Sequence, residues 1–378
     1  MKRFVVETII LAAAAALALT GCERLRNVTG TPVRFSVGTS SDRSNPSNAP
    51  QTKVSYGDIS GTTTKSQEID WKVGDKITIY CAQCEGEKSA EYAVSEVKPS
   101  GTTSASYAKI ENAGASGLQW GTGTHKFYSV YPGATTSGAS STISGKDITG
   151  SIPANQTVGT ITGTDAKVVA PDMKNLYMSA KTSLNAGESG DPVFLDFKPL
   201  TTVLEFTITN QFEETKSTMN VTSISLISDG HALDGGFAVD MDQTGLYGRP
   251  KTTLGSGVVI ADCDSVSINF GESPVELAYE KTLNFHFFLN PGNATEVDDL
   301  TFEIKGVNDG SKENFTRRAK LEKKDKSKVT FPTHKKTRIT GIMVPESIGW
   351  EINGEVLVTP FVTVTSTDGK DYFDPIFE

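Results

Sequence analysis

Four cysteines, four histidines and 45 acidic residues are the side chains in this sequence with chemistry to offer. Cys81-Ala82-Gln83-Cys84 is a lone CxxC. A redox pair of this kind would open a helix beside a strand. Here the motif follows the alternating Ile77-Thr78-Ile79-Tyr80, which places it at a strand end or hairpin. Zinc would need further ligands, and there is neither a second CxxC nor a nearby histidine pair. Cys81 and Cys84 therefore read as a local disulfide or as two quiet thiols, and with Cys263 they make an odd number for a framework. His125, His231, His286 and His334 are scattered. The chain has no HExxH, no G-x-S-x-G elbow and no Walker loop, and Gly121-Thr122-Gly123 lacks the third glycine of a nucleotide fingerprint. Asp240-Met241-Asp242 and Asp298-Asp299 have no full calcium spacing and read as turn aspartates. No catalytic residue, metal or cofactor is expected. A hydrolase would require two carboxylates converging in a cleft.

Cys22 has a more specific setting. Lys2 and Arg3 are followed by an apolar, alanine-rich run to Leu19, interrupted by Glu7 and Thr8, and then by Thr20-Gly21-Cys22. This is the order of a secretory signal: positive, apolar, then small residues. Leu19-Thr20-Gly21-Cys22 matches the lipobox of bacterial lipoproteins, in which the cysteine sulfur is acylated and the preceding peptide removed. The run is short for a membrane span, which takes about 20 apolar residues. Residues 1–21 are thus expected to be a signal peptide and 22–30 a lipidated tether. Each buried CH2 of an acyl chain is worth about 0.8 kcal/mol, so several chains anchor firmly.

The 378 residues carry a net charge of −9. Loss of residues 1–21 removes two positive charges and one negative, giving −10. That balance argues against nucleic acid and suits an exported surface. A basic stretch runs from Arg317 to Arg338 and includes Arg318, Lys320, Lys323, Lys324, Lys326, Lys328, Lys335 and Lys336. It reads as a solvated hairpin whose lysines block unwanted strand pairing.

The elements that would position any site are strands. Val33, Phe35 and Val37 alternate with Arg34 and Ser36, the pattern of a half-buried strand. From Gly38 to Lys53 no large apolar side chain occurs, so an exposed loop is expected, with Arg43 in its middle. Gly74-Asp75 is a turn between the alternating segments around Trp71 and Ile77. Lys126 to Pro132 is strand-like, and Gly133 to Gly163 is rich in Gly, Ser and Thr with one ordered-looking piece, Ser151 to Thr157. A break at Gly187 to Pro192 suggests domains at 31–190 and 191–378. Beyond it Leu204, Phe206 and Ile208 share a face, as do Leu283, Phe285, Phe287 and Leu289. Val356 and Val358, then Val362 and Val364, make late strands. No long segment after the signal has apolar residues at helical spacing. The reading is an all-β chain of two sandwiches.

Taken in order, these landmarks resemble the fimbrillin-like lipoproteins, subunits of type V pili in gut and oral anaerobes. They are the lipobox, Asp70 to Tyr80, Phe127 to Pro132, Ile152 to Thr157, Leu176 to Ala180, Phe197 to Phe206, Gly235-Gly236-Phe237, Phe287 to Pro291 and Ile339 to Ile342. The resemblance implies two transthyretin-like β-sandwich domains and an exported, outer-membrane, surface-exposed lipoprotein precursor. It implies cleavage by an arginine-specific protease after the first strand, then polymerisation as another subunit's terminal segment refills the groove. Under it, Val33, Phe35 and Val37 are the displaced strand. Arg43 is the first cleavage candidate and Arg34 the second. Val356, Val358, Val362 and Val364 are the candidate donor, or else simply the last strands. The implied partners are other fimbrial subunits, the outer membrane through the lipid, and a host or bacterial surface glycan or protein. The alternative is an unpolymerised glycan-binding surface lipoprotein with Trp71, Trp120 or Trp350 as stacking platforms.

Overall fold

The computed structural model describes residues 29–38, 55–60, 66–98, 104–105, 107–186, 192–211, 216–293, 296–321, 329–344, 347–352 and 371–373. Cys22, Arg43, Val356, Val358, Val362 and Val364 lie outside the described residues. The described chain is all-β: strands and three short 3-10 turns, with no α-helix among them. No helix among the described residues is long and apolar enough to cross a membrane.

Turn chemistry places the strands. Gly74 sits at φ 93°, a conformation that glycine adopts without strain, between strands Ser66–Lys72 and Lys76–Tyr80. Asp75 holds the same turn by accepting the Lys72 N–H at 2.8 Å. The largest sheet runs, edge to edge, Val193–Asp196, Phe35–Gly38, Tyr107–Asn112, Ser89–Lys98, Lys76–Tyr80, Thr124–Tyr131, Met178–Asn185 and Lys198–Pro199. Its core gathers Phe35, Trp71, Phe127, Tyr131 and Phe197. Trp71 stands edge-on to Tyr131 and Phe197, with ring centroids at 5.4 and 5.1 Å.

A second core lies between a seven-stranded and a five-stranded sheet. Thr202–Asn210 and Thr282–Leu289 belong to the first of these, Met219–Ser228 and Leu300–Asn308 to the second. Phe206 joins the two sheets, stacking on Phe285 at 5.4 Å and on Phe302 at 5.3 Å. Pairing crosses residue 190 in both directions. Val193–Asp196 and Lys198–Pro199 complete the first sheet, whereas Asp147–Ile152 pairs with Gly235–Thr244 and Ala166–Pro171 with Thr282–Leu289.

Two expectations are corrected. The region 133–163 holds more than one ordered piece, since Ser141–Ser144, Asp147–Ile152 and Val158–Thr162 are strands. Gly150 is required there because a Cβ would lie 2.4 Å from the Phe237 ring and 2.8 Å from the Tyr177 ring. The basic stretch is not wholly solvated either. Lys336 is buried and reaches Glu205 at 2.7 Å, beside Arg338 at 3.0 Å and His286 at 3.5 Å. Burial opposes ionisation of Glu205, but the neighbouring cations outweigh it and hold the carboxyl well below the usual range.

Candidate functional site: the seat of the first strand

The first described strand is held on both sides by chain far away in sequence. Phe35–Gly38 runs antiparallel to Tyr107–Asn112 and parallel to Val193–Asp196, with Phe35 opposite both Ile110 and Val193. Just before it, the chain lies along 118–120. Gly30 N–H donates to the Trp120 carbonyl at 2.7 Å, Trp120 N–H to Thr31 at 2.9 Å, and Val33 N–H to Leu118 at 2.9 Å. On the far side Val193 N–H donates to the Arg34 carbonyl and Phe197 N–H to the Gly38 carbonyl, both at 2.8 Å.

The side chains follow the expected alternation. Val33, Phe35 and Val37 are 4%, 1% and 0% exposed. The Phe35 ring meets Tyr92 at 5.0 Å and Phe127 at 5.2 Å, both edge-on. Tyr92 also accepts the Leu118 N–H on its hydroxyl at 2.9 Å, and burial pushes its phenol up to about 12. One ring thus walls the Phe35 pocket and holds the 118–120 rail. Ser36, expected on a solvated face, is buried as well, so the strand is covered on both sides. Arg34 has an exposed side chain and a bonded carbonyl. At the exit, burial pushes the Asp196 carboxyl up, opposed by Lys198 and Arg249.

The CxxC sits against the same rail. Residues 81–88 join strands Lys76–Tyr80 and Ser89–Lys98, closed by Cys81 N–H to the Lys88 carbonyl at 2.8 Å. Glu85 N–H donates to the Gln119 carbonyl at 3.0 Å, and Gln119 bridges Pro32 as well. Residue 119 thus has the CxxC loop on one neighbour and the first segment on the other.

Other candidates are structural. Trp71 and Trp120 are buried, which withdraws both as stacking platforms; Trp120 stands against His125 at 4.9 Å and Phe127 at 5.7 Å. The side chain of Trp350 lies outside the description. Asp240 and Asp242 are strand residues rather than turn residues, paired with Lys146 and Lys181, and Tyr128 donates its hydroxyl to Asp242 at 3.1 Å. Asp298 pairs with His231 at 2.9 Å. Among the described residues no group of three His, Cys, Asp or Glu could hold a metal. The flanking strand Tyr107–Asn112 and its neighbour Ser89–Lys98, which carries Tyr92, are not among the strands expected from the sequence. Their signal is present but weak: Tyr92 with Val94, and Ala108 with Ile110, alternate among Ala, Ser, Glu and Lys.

No family model matches the chain, and no curated protein matches it. Solved structures do. A candidate cell adhesion protein from Bacteroides uniformis aligns at 11% identity with a TM-score of 0.43, over 85% of this chain and 95% of that one. Another from Bacteroides fragilis aligns at 12% and 0.42, over 86% and 98%. A fimbrial assembly protein from Parabacteroides distasonis aligns at 11% and 0.32, over 80% and 91%. The proteins to which this chain is similar are thus Bacteroides and Parabacteroides proteins described as cell adhesion and fimbrial proteins.

Proposed function

We propose that this chain is a fimbrial subunit or accessory fimbrial lipoprotein, exported as a lipidated precursor and assembled by protease-triggered strand exchange in the service of adhesion. The observation that carries the reading is the seat of the first strand. A short strand near the start of the chain fills a slot between Tyr107–Asn112 and Val193–Asp196, and the polar stretch holding Arg43 follows it directly. Withdrawing it would empty the pocket between Tyr92 and Phe127 and leave backbone groups unpaired on both flanking strands. Burying Val33, Phe35 and Val37 is worth about 1.5–3 kcal/mol each, against about 5–15 kcal/mol for a whole domain. Such a slot strongly favours a replacement strand, which is β-augmentation used for polymerisation. Arg43 is the preferred cleavage site, since Arg34 has its own carbonyl tied to Val193. Val356, Val358, Val362 and Val364 are the proposed donor. The surface-glycan reading loses its two buried tryptophans.

Limited digestion with an arginine-specific protease, followed by N-terminal sequencing and native mass, tests this. Cleavage after Arg43, loss of the first segment and a ladder of oligomers are expected. A cut chain that stays monomeric with its first strand bound would remove the strand-exchange mechanism.

A further inference from the structure

The loop bearing the two buried cysteines has no part in strand exchange as such, yet its geometry is specific. Cys84 N–H points at the Cys81 carbonyl at 3.4 Å, closing a four-residue turn. Such turns hold their end Cα atoms within about 7 Å, and disulfides need about 4.4–6.8 Å. Both thiols are buried in the same core. The turn is braced on three sides. Gln83 Oε1 accepts the Lys126 N–H at 3.0 Å and lies 3.5 Å from the Cys81 sulfur. Lys88 Nζ donates to the Cys84 carbonyl. Gly121 fits against the Gln83 carbonyl so closely that a Cβ there would lie at 2.2 Å.

We propose that Cys81 and Cys84 are a disulfide-forming pair, and that their bond locks the 81–88 loop under the rail carrying the first segment. The bond rests on the export proposed above for its oxidising surroundings. The oxidant is a small or protein disulfide. One of the two cysteines, as thiolate, attacks one of the oxidant's sulfurs and expels the other as a thiol. The other cysteine then attacks its partner's sulfur in the mixed disulfide and expels the second thiol. The pair loses two electrons and two protons, and the oxidant gains both. Cys81 and Cys84 are 0% and 1% exposed, so oxidation precedes closure of the core. Cys263, half-buried beside Gly235, stays a thiol.

The test is peptide mass. Trypsin cuts after Lys76 and Lys88, releasing residues 77–88 with Cys81 and Cys84 as its only cysteines. The full chain is refolded with oxidised glutathione, alkylated while denatured, and digested. The expected peptide is unalkylated and lighter than the dithiol by two hydrogens, and reduction restores two alkylation sites. Two alkyl groups without reduction would overturn the proposal. Protein from the membrane fraction of its own cells is mapped in parallel. A closed bond there supports both readings. A bond closed on refolding but open in cells supports the pair and counts against export. As an independent readout, the Cys81→Ala/Cys84→Ala variant should melt about 3–8 °C below the oxidised chain. An unchanged melting point would overturn the locking role.

Discussion

His334 shows how much a single buried residue decides. It sits at φ 61°, where Asn and a few others are tolerated, and its N–H donates to Thr202 Oγ1 at 2.9 Å. Its ring Nδ1–H donates to the Leu200 carbonyl, and Nε2 faces Thr252 Oγ1 at 3.3 Å. Burial pushes the imidazole down to about 4; Leu200 opposes this and Arg249 adds to it. An unfolded chain would protonate near pH 6.5. Between those values the unfolded state binds more protons, so stability falls as the pH drops from about 6.5 to about 4, by on the order of 3 kcal/mol. His334→Asn keeps the backbone conformation and should abolish that part of the slope. Urea midpoints at about pH 7 and about pH 4.5 would check it, and an unchanged slope would reject the assignment. Nothing in the sequence marked this histidine, which lies in a run of basic residues that composition alone places in water. Lys336 misleads in the same way. Its burial depends on Glu205, which is distant in sequence and adjacent only once Thr202–Asn210 and Lys336–Val344 pair.

Strands were legible where one face meets the core and the other meets polar neighbours. Leu204, Phe206 and Ile208, like Val33, Phe35 and Val37, declare themselves by strict alternation. Strands lined by Ala, Ser and Gly stay hidden, because what buries them is a ring supplied by another strand. Gly150, beneath Phe237 and Tyr177, is the clearest case. The seat was half legible for this reason: the occupant could be read, its walls could not. The walls also differ in kind. Val193–Asp196 is an edge strand, and its Val193 N–H supplies a hydrogen bond to the occupant. Proline is tolerated at the first residue of a strand but removes that donor. Val193→Pro should therefore leave the chain folded while weakening its grip on the first strand. A loss of about 1.4 kcal/mol corresponds to tenfold faster release. The half-life of the protease-nicked complex on gel filtration measures this. A half-life equal to that of the parent would mean that Tyr107–Asn112 alone retains the strand.

The two cores are not independent bodies joined by a linker. Thr124–Tyr131 sends Phe127 and Tyr131 into one and Tyr128 and Val130 into the other. Val203 and Phe288 enter the first core from strands whose other side chains build the second, and Tyr177 goes the opposite way. A strand with two buried faces loses its polar alternation, so a layer shared by both cores is not legible in the sequence. Tyr128 and Lys181 reach across to Asp242 at the same seam. This arrangement bears on the proposed strand exchange. A sandwich deprived of its first strand would keep its shape if a shared layer tied it to an intact neighbour, and the slot would stay open long enough to be refilled. Two consequences can be measured by calorimetry. The intact chain should melt in one transition, with calorimetric and van't Hoff enthalpies equal. Phe288→Ala, which empties a site in the first core from a strand of the second sandwich, should cost about 3–5 kcal/mol and shift that whole transition. Two separable transitions, with Phe288→Ala moving only one, would mean that the seam couples the sandwiches weakly and that an emptied slot must be held open by something else, such as the incoming subunit itself.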